Sequence, residues 1–497
     1  MKTNSLKIFF LIIGSVLAWT CSDEESIRMA IEEMPRGFDP VYHNGVYDVQ
    51  IQSQIYETLL RLDSDCQTIL PNLAMRWTVN PDSNTYRFTL RPDVRFQDGH
   101  QLSVDDILYS IERYRTEKSN WLLQDRIKKV AVIDSLTFEI QLKKNFAPFL
   151  YTLCSPYVLM IHLPPVEKNK NLRGTGPYLP DDSQKNGRVI LRQNPLYWQR
   201  SSQVKKIEFI LYDGYESAAY AIEDREVDIV YLVSGSIIDR LKWTGKIEYV
   251  LNKPLNVIFI GFNNQAAPFN DLRIRKAILY ALNIPQLVYN SNRGNAIPAV
   301  GPLPPIYNLG TQVQAGQDLT LTRKLLQDAG IKRNLDISFF MMSTKSSRHT
   351  WIELLKAQLH NSGIYLQTEE SRSWPQHIGA IMSDRAQMFF DGYDSDIIGD
   401  PWYFLWTLFH SKSPSNSLKY YNSKVDSLLD LAETKYDMDE RNQIYEKIVA
   451  IIIAETPAVF LDHVIPHFAV DSERIKHIAI SPYQILDFNS VILNKHD

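Results

Sequence analysis

Alternating apolar and polar positions mark strands at several points along the chain. Tyr86, Phe88 and Leu90 share one face of the segment from Thr85 to Arg91, a period of two that predicts a half-buried strand. Leu136, Phe138, Ile140 and Leu142 repeat the pattern, and Asp98-Gly99 predicts a turn between the two. Helical spacing appears in Ile274, Ala277, Ile278, Ala281 and Leu282, and again in Tyr445, Ile448, Ile451 and Ile452. These stripes are read as core. Ser103 precedes Asp106 by three residues, a capping-box arrangement that opens a helix from Val104 to about Arg113. Strands alternating with helices in this way predict an α/β protein.

A chain of 497 residues is too long for one core and implies two or three domains. No tandem repeat or low-complexity tract divides it. The breaks are short Pro-rich patches: Leu163-Pro164-Pro165, Lys253-Pro254, and Gly301-Pro302-Leu303-Pro304-Pro305. The first two are candidate crossings between domains.

Composition narrows the function. The net charge is −4 and no long basic run occurs, so nucleic acid is not an expected partner. The 26 Tyr and 9 Trp suit a large amphipathic binding surface, and equally a large core with tyrosines at its rim.

The first residues read as a targeting segment. Lys2 and Lys7 precede an apolar run from Ile8 to Trp19, too short to span a bilayer comfortably. The run stops at Cys21, and Ser22-Asp23-Glu24-Glu25 follow. A signal peptide over 1–20 that ends at Cys resembles a bacterial lipoprotein signal, which implies acylation of Cys21. Trp19-Thr20 depart from the small residue usual before that Cys. With Cys21 acylated, Cys66 and Cys154 remain. An exported chain permits a disulfide between them, and the sequence leaves that pairing open.

Candidate catalytic chemistry fails at each test. There is no G-x-S-x-G nucleophile elbow and no H-E-x-x-H pair. His463 and His467 have the i, i+4 spacing of helical metal ligands, but Pro466 opposes a helix there. Ala458 to Val464 reads as a strand, on which the rings would start about 13 Å apart. Gly174-Thr175-Gly176-Pro177 begins like a phosphate loop, but Pro177 has no N–H to offer. Asp394, Asp396 and Asp400 cluster in YDSDIIGDP without the spacing of a Ca²⁺ loop. No enzyme activity, cofactor or metal site is expected.

Seven blocks in order resemble the extracytoplasmic solute-binding proteins of the dipeptide and oligopeptide importers, family 5. They are MPRGFDP (34–40), IYETLL (55–60), LPNLA with Trp77 (70–77), FTLRPDVRFQDGHQLSVDDILYSIER (88–113), GTGPY (174–178), NPLYW (194–198) and FNNQAAPFNDLRIRKAILYAL (262–282). Each has a local structural job as well, such as Asp271 capping the helix of Arg273 and Arg275. Departures are Cys66 where the family commonly has Gly, Asn283 where Asp is usual, and Asn80 to Asn84 in place of an Asp-Gly turn.

The resemblance implies a two-lobed periplasmic-binding-protein type II fold with an extra subdomain on lobe one. The base of lobe one is expected from 22–47, 168–252 and 480–497, the added subdomain from 48–167, and lobe two from 253–479. It implies an exported monomer, periplasmic or at the cell surface and held to the membrane only by a lipid on Cys21. That monomer would capture a peptide in the interlobe cleft and deliver it to an ABC transporter permease. The family's ammonium-binding Asp follows a Gly-aromatic pair. Here Gly392-Tyr393 precede Asp394-Ser395-Asp396, and the register points to Asp396, with Asp394 second and Tyr393 as a pocket wall. Trp402, Trp406 and Trp374 are further candidates, each also readable as core or rim, and His43 and Asn44 are candidates for the opposite wall. The alternatives are a nickel chelate, haem, an oligosaccharide or a cell-wall peptide as ligand, or a sensor that signals to a membrane partner.

Overall fold

A computed structural model describes residues 25–42, 45–117, 121–161, 173–181, 187–232, 234–243, 245–307, 309, 313–342, 347–383, 385–395 and 397–494, and the counts are of those residues. The strand Ser26–Ile31 buries Ile27, Met29 and Ile31 on one face and Ala30 on the other. A strand apolar on both faces belongs at the centre of a sheet. It pairs in parallel with Lys206–Leu211 and Ile229–Leu232. The sheet has seven strands, ordered Tyr178–Pro180, Arg188–Gln193, Lys206–Leu211, Ser26–Ile31, Ile229–Leu232, His467–Asp471, Ile247–Leu251. Helix Val46–Ile55 and a C-terminal hairpin cover one face. Helices Tyr215–Glu223 and Gly235–Lys242 cover the other. The Asp228 carboxylate, 1% exposed, joins distant parts of the chain. It accepts from the Arg28 backbone N–H at 2.7 Å and from the Arg28 and Arg474 guanidinium groups at 3.2 and 2.7 Å.

This sheet is the base of lobe one, and it departs from the sequence partition at two places. His467–Asp471 lies in it, antiparallel to Ile229–Leu232 and Ile247–Leu251, although the partition placed 253–479 in lobe two. The strand is buried on both faces, so it fits between two partners. Helix Val46–Ile55, most of which was assigned to the added subdomain, packs Tyr47, Ile51 and Ile55 into the base core.

The added subdomain is built on a four-stranded antiparallel sheet, ordered Ala74–Asn80, Thr85–Leu90, Thr137–Leu142, Ile127–Val132. Tyr86, Phe88 and Leu90 are fully buried, as their alternation predicts. Helix Val104–Thr116 starts with both halves of the capping box between Ser103 and Asp106. Cys66 adopts φ 63°, in the left-handed region that suits the glycine common there in the family. Cys66 and Cys154 are both free and buried.

Lobe two carries a six-stranded sheet, ordered Ala296–Pro298, Ala458–Val464, Asn256–Phe262, Met388–Asp394, Leu335–Met342, Ile364–Ser371. Helices Leu272–Ala281, Ile284–Asn292, Leu319–Asp328 and Ser347–His360 pack on one face. Helices Trp374–Met382, Trp402–Phe409, Ser423–Ala432 and Met438–Glu455 pack on the other. That second core runs without a break into the added subdomain. At the junction the Phe146 and Trp402 rings meet edge-on, with centroids 4.8 Å apart. The Arg126 guanidinium lies 4.3 Å from the Phe146 ring and reaches Glu433 of lobe two at 2.8 Å.

The chain crosses between the two large sheets at 252–255, through Lys253-Pro254, and returns at 465–466, through Ile465-Pro466. The sequence marked the first crossing and not the second. Leu163-Pro164-Pro165 lies outside the described residues. The Asn256 carboxamide ties the crossings together, donating to the Val464 carbonyl at 2.9 Å and accepting from the Val464 N–H at 2.8 Å. His463 sits 2.7 Å from the Asn256 carbonyl, whereas His467 belongs to the other sheet, so the pair does not share one helix face.

Gly174 and Gly176 pass over the end of helix Val46–Ile55. A Cβ on Gly174 would stand 1.9 Å from the Ile55 oxygen, and one on Gly176 2.6 Å from the Gln54 oxygen. Close backbone approach is therefore what these glycines supply. Gly174→Ala is expected to lower stability by about 1–3 kcal/mol in urea denaturation, through overpacking against rigid backbone. Gly379→Ala, inside a helix with nothing within 4 Å, is expected to be neutral or stabilising in the same assay.

Candidate functional site

The C-terminal ends of strands in an open α/β sheet border the crevice where ligands bind. Glu32 directly follows the strand Ser26–Ile31, and Tyr231 lies on the neighbouring strand Ile229–Leu232. Tyr47, in the first turn of helix Val46–Ile55, donates its hydroxyl to Glu32 Oε1 at 3.3 Å. Its ring meets that of Tyr231 edge-on at 6.4 Å. From lobe two, Asp394 ends the strand Met388–Asp394, opposite Asn256 at the crossing. The Tyr231 phenol is raised by burial first, and then by the nearby Tyr215, Asp394 and Glu32. Both lobes therefore act on one ring.

Burial pushes the Glu32 carboxyl up to about 7, and the Tyr47 hydrogen bond offsets only part of that. Among the described residues no basic side chain pairs with Glu32. Tyr47 is also raised, chiefly by burial, so it remains a hydrogen-bond donor at neutral pH. The strand ends of the base thus gather a carboxylate and phenol hydroxyls, and Asp394 ends a strand of lobe two at the crossing. This arrangement has acceptors and donors suited to holding a polar ligand. Among the described residues no three His, Cys, Asp or Glu converge as a metal ion would require.

The loop after Asp394 is anchored from behind. Asp400 is fully buried, and its carboxylate accepts from Arg441 at 2.9 Å, from the Tyr445 hydroxyl at 2.6 Å and from the Trp402 N–H at 2.9 Å. Gly399, at φ +99°, passes so close to the added subdomain that a Cβ would lie 2.3 Å from the Tyr151 ring. Gly392 faces Ile258, whose Cδ1 would be 2.6 Å from a Cβ there.

The structure brings together only some of the residues singled out in the sequence. Gly392, Tyr393 and Asp394 end one strand beside the crossing. Tyr393 is half-buried, with its ring edge-on to Phe404 at 4.9 Å. Trp402 is fully buried between Phe146 and Trp406, so it is core at the junction with the added subdomain and not a ligand wall. Trp406 stacks on His410 at 5.4 Å. Trp374 is half exposed at the start of its own helix, beside His377. Asp396, His43, Asn44 and Cys21 lie outside the described residues. Glu32, Tyr47, Tyr215 and Tyr231 did not stand out in the sequence. The available signal was an acidic pair, Glu32-Glu33, directly after a short apolar strand.

A concavity of about 680 Å³ opens between the base and the added subdomain, and none of Glu32, Tyr47, Tyr231 or Asp394 lines it. Its buried acid, Glu57, already accepts from Trp198 Nε1 at 2.9 Å and Tyr197 Oη at 3.3 Å. That acid serves the packing of the base against the subdomain.

A model of the bacterial extracellular solute-binding proteins, family 5 Middle, matches residues 68–416. The dipeptide-binding protein of Escherichia coli (strain K12) is 22% identical, over 93% of this chain and 93% of that protein. The structure of the ABC transporter-associated periplasmic binding protein DppA from Helicobacter pylori, in complex with the peptide STSA, superposes with a TM-score of 0.80 at 22% identity, covering 95% of this chain and 98% of that one. NikA from Brucella suis, in complex with Fe(III)-EDTA, superposes with a TM-score of 0.85 at 20% identity, covering 94% and 100%. Among the described residues no helix is long and apolar enough to cross a membrane.

Two outcomes follow from the anchored loop and the buried acid. Arg441→Met leaves Asp400 charged and uncompensated, and is expected to cost about 3–5 kcal/mol in denaturant unfolding. Adding Asp400→Leu to it should recover part of that loss. Because the Glu32 carboxyl rises from 4.5 to about 7 on folding, its protonated form favours the folded state, and that contribution fades as pH climbs between those values. Glu57 and Asp462 are raised to about 7 in the same way. His463 and His467, lowered by burial, act in the opposite sense over this window. The readout is therefore the difference: from about pH 5 to pH 8 the melting temperature of Glu32→Gln should fall less, or rise more, than that of the unmodified protein.

Proposed function

Because the chain belongs to the bacterial extracellular solute-binding proteins, family 5, we propose that it captures a short peptide between its lobes and delivers it to an ABC-type importer. The observation that carries the reading is that Asp394 ends a strand of lobe two at the crossing, while Glu32, Tyr47 and Tyr231 cluster at the strand ends of the base. An ammonium group taken out of water needs a carboxylate partner. Asp394 would supply one at the end of the strand Met388–Asp394, and the family register offers Asp396 as the other candidate. The strand end and the loop after it also provide backbone groups that an extended ligand joins as an added strand does. Tyr393 would stiffen this wall through its contact with Phe404.

An anionic chelate, the kind of ligand held by NikA of Brucella suis, would meet repulsion from Glu32 and Asp394. This favours a ligand with positive charge. Opening and closing would turn on the crossings at 252–255 and 465–466, with the base and added subdomain as one lobe. Export with a lipid on Cys21 would hold the protein beside its permease as a monomer.

The test is calorimetric titration with tri- and tetrapeptides and their N-acetylated forms. Blocking the amine is expected to weaken binding about 10- to 150-fold, the value of a hydrogen bond to a charged group. Asp394→Asn and Asp396→Asn, measured separately, identify which carboxylate holds it. Equal affinity for free and acetylated peptides would remove the ammonium-binding role from both.

A further inference from the structure

This inference rests on the peptide reading and names the class of peptide. We propose that Glu32 selects ligands with a second positive charge, a Lys or Arg side chain at the first or second position, on the wall facing Asp394. Glu32 directly follows the central strand of the base, one residue beyond the last paired position. One carboxylate oxygen accepts from Tyr47 at 3.3 Å, and the other has no partner among the described residues. Asp228 and Asp400, buried in the fold, are matched by guanidinium groups, whereas Asp462, buried beside the crossing, has only the Asn292 carboxamide among the described residues. Asp228 has Arg28 and Arg474, and Asp400 has Arg441. Glu32 is half withdrawn from water without such a match, so it stays at about 7 until a cation arrives.

The surroundings suit that cation. Tyr47 and Tyr231 stand edge-on at 6.4 Å, and Tyr215 acts on both phenols. Aromatic faces beside a carboxylate attract ammonium and guanidinium groups. Glu32 and Asp394 also act on the same Tyr231 ring from opposite lobes. A ligand that reaches both would carry its two charges on neighbouring residues. An extended chain advances about 3.4 Å per residue, so a Lys or Arg at the first or second position keeps the second charge near the ammonium. A ligand bridging the two acids would also tie the lobes to each other.

The experiment titrates the full-length protein with Lys-Ala-Ala, Ala-Lys-Ala, Ala-Ala-Ala and norleucine-Ala-Ala. Norleucine keeps most of the apolar stem of Lys and removes the charge. A Lys peptide is expected to bind about 10- to 100-fold tighter than its norleucine or Ala counterpart, the range for a desolvated charge-assisted bond. Glu32→Gln should reduce that ratio to near one, and Glu32→Asp, which keeps the charge, should keep part of it. A ratio near one in the unmodified protein, or a ratio that survives Glu32→Gln, overturns the inference. If the peptides still bind through a free amine in either case, the peptide reading stands without it. If none of the peptides binds, the peptide reading itself fails and takes the inference with it.

Discussion

The carboxamide of Asn256 holds the architecture at its narrowest point. It donates to and accepts from Val464, so the outgoing and returning crossings are one unit and not two independent strands. In the same register Asn256 stands opposite Asp394, the last residue of its strand. One buried amide thus sets where the lobes meet and where the first candidate acid is presented. An unsatisfied polar group in this place would cost more than the bonds contribute, which makes the geometry hard to vary.

The acids of the molecule divide by what they meet. Asp228 and Asp400 are surrounded by guanidinium groups and serve the fold. Glu57 is enclosed by donors from Trp198 and Tyr197. Glu32 has a single phenol. All four are at least partly buried, so burial alone does not divide them.

Local patterns in the chain are legible where local physics decides the outcome. The alternation of Tyr86, Phe88 and Leu90, the capping box at Ser103, the cap at Asp271 and the strand character of Ala458 to Val464 are all present in the structure. The family, and with it the two-lobed fold, is legible from ordered motifs. Features set by distant neighbours are not. Tyr231 lies about 200 residues from Glu32 in sequence and beside it in space, because parallel strands put distant segments edge to edge. His467–Asp471 returns to the base although the preceding strand belongs to lobe two. Trp402 is readable from sequence as pocket wall or as core, and the packing of Phe146 on it decides for core.

That packing ties the added subdomain to lobe two through an apolar surface as well as through the Arg126–Glu433 pair. Any separation of the two wets the rings of Phe146 and Trp402. Hydration of apolar surface raises the heat capacity, and its free-energy penalty weakens on cooling. The balance between joined and parted forms therefore bends with temperature. Were the two to part, cold would ease that separation and moderate warmth oppose it.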